Sequence, residues 1–89
     1  MLRIKDNART MVPAILALEE AGFSVRVVRH EGGRNWWFAE SDVLELVASD
    51  PLKLLGLAKM HELRGDGWEA PDEEAHAVMG RHKLELRAD

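Results

Sequence analysis

Apolar residues first recur at helical spacing between Thr10 and Ala21, where Met11, Ile15 and Leu18 form a stripe widened by Val12 and Leu16. Thr10 as N-cap puts Pro13 in the first turn, where its missing N–H costs nothing. A start at Asp6 or Asn7 would bury Pro13 inside the helix and kink it, so the later start is the expected one. Gly22 suits the left-handed residue that closes such a helix, and Phe23 can reach back onto its last turn. From Phe23 the period changes to two. Phe23, Val25 and Val27 point one way; Ser24, Arg26, Val28 and His30 point the other.

Gly32-Gly33 can take the positive φ angles of a two-residue hairpin turn, which would set Glu31 opposite Arg34. The returning strand is Asn35–Glu40, followed by a turn at Ser41-Asp42 and a third strand over Val43–Ala48. In that register Val27 pairs with Phe38 and Val28 with Trp37. Phe23, Val25, Val27, Trp36 and Phe38 then form the face beneath the helices, and Trp37 joins Arg26, Val28, His30 and Ala39 on the open face. A two-residue turn at Ser41-Asp42 sets Leu44 and Leu46 with Trp37, whereas a three-residue or bulged turn returns them to the core.

Asp50-Pro51 marks the sharpest boundary, a capping carboxylate before a residue whose φ is already helical. The helix runs from Pro51 to Arg64 and stops at Gly65. At 100° per residue, Leu52, Gly56 and Leu63 fall on one line, while Leu54, Leu57, Ala58 and His61 gather opposite, bridged by Leu55 and Met60. A helix apolar on nearly all sides is expected to be buried twice, either by the first helix and a tail carrying Trp68 or by a second chain. Asp72-Glu73-Glu74 can open a short helix supported by Ala75, Val78 and Met79, but Gly80 argues against its continuity and Leu84 and Leu86 alternate as in a strand, so residues 72–87 read as either helix or strand.

The order helical, alternating, helical predicts an α+β domain of two layers, an antiparallel three-stranded meander with both helices on one face. The 89 residues allow one domain, 1–89, with 1–9 and 80–89 expected to be poorly ordered. Without cysteine, disulfide frameworks, thiolate metal sites and thiol nucleophiles are excluded. Neither a leader-like apolar stretch near Met1 nor 18 uninterrupted apolar residues occurs, and the expected location is cytoplasmic. Residues 1–35 carry six bases and four acids, residues 36–89 six bases and twelve acids, so a weakly basic front joins an acidic back.

Four histidines are the only ligand or acid–base set to consider. His76 and His82 are six apart, not the three or four that share a helix face, and His61-Glu62-Leu63-Arg64-Gly65 has Gly65 where a zinc-protease helix needs its second histidine. Ser24, Ser41, Ser49 and Thr10 read as strand surface, turn and caps, and Gly32-Gly33 is too short to cradle a phosphate. No catalytic residue, cofactor or metal is expected.

The helix–three-strand–helix order resembles the double-stranded-RNA-binding fold, which grips phosphates with lysines at the start of its second helix. Here that turn reads Asp50-Pro51-Leu52-Lys53, one base preceded by an acid, and Glu40, Asp42 and Glu45 flank the tryptophans. The leading expectation is a non-catalytic protein-interaction or regulatory module whose partner is another protein or a second copy of the chain, with RNA binding as the alternative and no membrane. Its expected surface comprises Trp37, Arg26, Val28 and His30 on the open sheet face and Leu52, Gly56 and Leu63 on the helix. Trp37→Ala should then weaken association, and Trp36→Ala should destabilise by roughly 3–5 kcal/mol.

Overall fold

The computed structural model describes residues 1–84. A 3-10 turn, Ala8–Thr10, leads into α1 (Met11–Glu20), followed by β1 (Ser24–Arg29), β2 (Asn35–Glu40), β3 (Glu45–Ala48), α2 (Pro51–Arg64) and α3 (Asp72–Arg81). The strands form one antiparallel sheet in the order β1-β2-β3. α1 packs on β1 and α2 on β2 and β3, and the two helices lie against each other. Leu18 of α1 and Leu54 of α2, both fully buried, meet Ala39, Leu46 and Ala48 from one side of the sheet. The α+β architecture expected from the periodicities, with both helices on one face, is the observed one.

Local chemistry explains the boundaries. Gly22 has φ +95°, its N–H donates to the Glu19 carbonyl, and the Phe23 N–H donates to the Leu18 carbonyl. That pair of bonds closes α1 in the left-handed manner expected and turns Phe23 back onto the core. Asp50 accepts the Lys53 N–H at 2.8 Å with Pro51 at the first helical position. Gly65, at φ +75°, ends α2.

The start of α1 differs from expectation. Thr10 is not an N-cap: its backbone is already helical, and its hydroxyl, with one proton to give, lies 2.7 Å from the Asn7 carbonyl and 2.9 Å from Asp6 Oδ1. Asn7 caps the preceding 3-10 turn through the Arg9 N–H. The tighter turn moves the capping position upstream.

The larger correction concerns the first hairpin. Arg29 pairs with Asn35, the His30 N–H donates to the Arg34 carbonyl, and Glu31, Gly32 and Gly33 make a three-residue loop with both glycines at positive φ. Val27 therefore pairs with Trp37 and Val28 with Trp36, not with Phe38 and Trp37. One extra loop residue slips the register by one, and a slip of one turns every β2 side chain over. Trp37 and Ala39 lie beneath the helices with Val25 and Val27, while Trp36 and Phe38 take the open face. Glu31 and Arg34 are not an opposed pair; Arg34 faces His30.

The second hairpin loop has two residues, as one of the two readings required, but they are Asp42 and Val43, with the Ser41 N–H donating to the Leu44 carbonyl at 2.8 Å. Shifting the pairing by two preserves the faces. Leu46 opposite Ala39 and Ala48 opposite Trp37 thus keep Trp37's company on the covered side.

On α2 the broad stripe is the core side, whereas Leu52, Gly56 and Leu63 are exposed, so the second stripe is not covered within the described residues. The Trp68 segment is tied to α2 instead: Arg64 Nε donates to the Trp68 carbonyl at 2.7 Å, and His61 Nε2 lies 2.8 Å from Asp66 Oδ1. Trp68 lines a slot of about 200 Å³ with Leu57 and Met60 of α2 and the β3 residues Leu46 and Val47. It sits at the margin of β3, the edge strand of the sheet.

α3 runs through Gly80 without a break, and the Leu84 N–H donates to the Met79 carbonyl beyond its end. None of its residues is buried. Ala8 and Arg9 belong to the 3-10 turn and Gly80 and Arg81 to α3, while the expected alternation at Leu86 lies outside the described residues.

Candidate functional site

Because β1, β2 and β3 are in register, the helix-free face is a small grid. Ser24, Arg26 and Val28 come from β1; Trp36, Phe38 and Glu40 from β2; Glu45 and Val47 from β3. Alternation carries the pattern one step further, to His30 and Arg34, which the His30 N–H to Arg34 carbonyl bond holds opposite each other at 3.2 Å. Across the strands the rows read Ser24–Glu40–Glu45, then Arg26–Phe38–Val47, then Val28–Trp36, then His30–Arg34. Along β2 the acid Glu40 stands at one end and the base Arg34 at the other with Phe38 and Trp36 between, while Arg26 on β1 stands beside Phe38.

The centre is built from cross-strand pairs. The Arg26 guanidinium carbon stands 4.1 Å from the centroid of the Phe38 ring, a cation–π contact worth about 0.5–1 kcal/mol at an exposed site. Trp36, opposite Val28, is 37% exposed, and Val47, opposite Phe38, is 42% exposed. Glu40 and Glu45 face each other directly, an arrangement that disfavours the sheet. Among the described residues neither acid, nor Arg34, takes part in an ion pair.

Arg26, Val28 and His30 thus stand on the face where the sequence placed them, and Trp37 does not. Trp36, Phe38 and Val47 belong there instead. The signal that could have found them is the loop length, since a Gly-Gly centre preceded by Glu31 accommodates either two or three residues. Leu52, Gly56 and Leu63 lie on α2 away from this face.

Other concavities are occupied with structural tasks. A cleft of about 450 Å³ between the N-terminal segment and the start of α2 is lined by Asp6, Asn7, Thr10, Asp50 and Lys53. All five engage in capping bonds or their neighbours. Among the described residues no three His, Cys, Asp or Glu side chains are grouped to hold a metal, and no helix is long and apolar enough to cross a membrane. Comparison with protein-family models, with curated proteins and with solved structures finds no match to this chain.

Proposed function

We propose that the protein is a non-catalytic, cytoplasmic protein-interaction module that binds through the helix-free face of its sheet. One observation carries the reading: Trp36, Phe38, Val28 and Val47 form a contiguous apolar patch, framed by Arg26, on a face that no helix covers. Aromatic residues and arginine are the types that dominate binding energy at protein interfaces, and a grouped patch is more informative than scattered exposed residues. The outer stripe of α2 supports less. Leu52 and Leu63 are separated by about 16 Å of helix with Gly56 and Lys59 between them, so they make no continuous surface.

Photo-crosslinking from position 36, with a benzophenone amino acid replacing Trp36, tests the reading against the same group at Glu20 on the outer side of α1. Protein adducts specific to position 36 are expected. Adducts to nucleic acid, or tight binding of duplex RNA that weakens steeply with salt, would replace this reading with the RNA-binding alternative.

A further inference from the structure

We propose that the occupant of the open sheet face is a second copy of this chain, packed face to face about a two-fold axis that lies in the interface and runs across the strands. The proposal rests on the reading of that face as an interaction surface and adds the partner and its orientation.

Charge complementarity selects this occupant and its orientation. Along β2 the face reads acidic, apolar, apolar, basic: Glu40 with Glu45 beside it, Phe38 with Arg26 folded over its ring, Trp36, and then Arg34 with His30 beside it. Isologous contact places one patch on itself, so each candidate axis makes a definite prediction about which rows meet. An axis parallel to the strands would lay the glutamate row on its own copy, compounding the repulsion already present between Glu40 and Glu45. An axis across the strands, passing between the Phe38 and Trp36 rows, reverses the order. Trp36 then lies over the partner's Phe38, and Arg34 over the partner's Glu40, with both relations repeated by symmetry.

This arrangement gives a partner to groups that lack one in the single chain. Glu40 and Arg34 are in no ion pair among the described residues. Sheets stacked in this way lie about 10 Å apart, a gap that interdigitating side chains fill. The contact is small: strands of six, six and four residues make a face of at most about 14 Å by 20 Å. A weak, concentration-dependent dimer follows, since stable interfaces bury about 800 Å² per partner.

Sedimentation equilibrium of the full chain from about 10 µM to about 1 mM spans the affinities such an interface allows. The wild type is expected to shift from monomer to dimer across this range. Arg34→Glu and Glu40→Arg should each weaken the dimer about tenfold, and combining them should restore it, because the charges are then exchanged across the axis. Phe38→Asp should leave a monomer at every concentration. Circular dichroism melts accompany each variant, and the charge-exchange pair decides the matter if Phe38→Asp does not fold. A wild type that stays monomeric at the highest concentration overturns the proposal while leaving the crosslinking test of the interaction face intact. Single reversals without effect, or no recovery in the double variant, also overturn it. A dimer abolished by Leu52→Asp or Leu63→Asp but not by open-face substitutions overturns both the proposal and the reading beneath it.

Discussion

The two faces of one sheet put neighbouring tryptophans to different uses. Trp37 lies under the helices, half-buried in a cluster with Leu18, Ala39, Leu46, Ala48 and Leu54, while Trp36 stands on the other side opposite Val28, with Arg26 and Phe38 one row further along. Nothing in the two residue types distinguishes them; their parity in the strand does. On the covered face, small residues, Ala39 and Ala48, let the helices approach and leave room for one large ring. On the open face, large apolar residues are bounded by Glu40, Glu45 and Arg34, which form no ion pair among the described residues. The first pattern serves stability and the second, in the function proposed, recognition, so substitutions on the two faces should have separable consequences.

The most direct way to break the comparison is to delete Asn35, the first residue of β2. With the three-residue loop and the His30–Arg34 pair kept, each later β2 residue moves up one place, which brings Trp36, Phe38 and Glu40 under the helices and sends Trp37 and Ala39 out. Burying the Glu40 carboxylate without a partner is prohibitive beside the modest stability of a domain this small. The cooperative thermal transition should disappear. A deletion variant melting near the wild type would show that the core tolerates either face of β2.

Next in size are truncations on the covered side. Leu54→Ala removes a fully buried side chain and Trp37→Ala a large ring, each expected to cost about 3 kcal/mol. In urea, both should lower the unfolding midpoint with little change in slope. This reverses the ranking expected from sequence, which assigned the stability role to Trp36. Equal stability losses for Trp36→Ala and Trp37→Ala would erase the distinction between the faces.

Why the sequence disclosed one part of this and not another follows from the range of the interactions involved. Gly22, the Asp50-Pro51 pair and Gly65 mark their boundaries by chemistry confined to a few neighbouring atoms, a positive φ or a carboxylate within reach of an N–H. Register is not local in that sense. Gly32-Gly33 satisfies loops of two or three residues, and both strands contain apolar residues of either parity, so hydrophobic pattern does not choose between Trp36 and Trp37. Packing chooses: the covered side accepts Ala39 beneath Leu18 and Leu54. The second hairpin was more forgiving, since an error of two residues there left Leu44 and Leu46 with Trp37.

A smaller effect is expected where α2 is fastened over the covered face. Asp50→Ala removes the carboxylate that accepts the Lys53 N–H, and such caps are worth about 1 kcal/mol. For a domain of this length that lowers Tm by about 4–8 °C. Asp50→Asn, which keeps an acceptor, should retain most of the stability. An unchanged Tm for the alanine variant would mean that Pro51, whose φ is fixed by its ring, suffices to start the helix.

The smallest effect on stability, and the one that most sharpens the contrast, belongs to Trp36→Ala. The ring is partly exposed, and its folded-state partner across the strand is Val28, a pair worth about 0.2–1 kcal/mol. Loss of that pair, and of the ring's remaining contact with the sheet, is the expected cost to the single chain, and it is smaller than for Trp37 because the ring lies outside the core cluster. The same truncation removes a large aromatic contact from the centre of the proposed interface, where the ring would be desolvated against the partner's Phe38. Stability and association therefore move by different amounts: the melt shifts by a few degrees, while the dimer weakens at least tenfold. Measuring both on one preparation separates the roles, since a ring that merely supports the sheet would lower the two together.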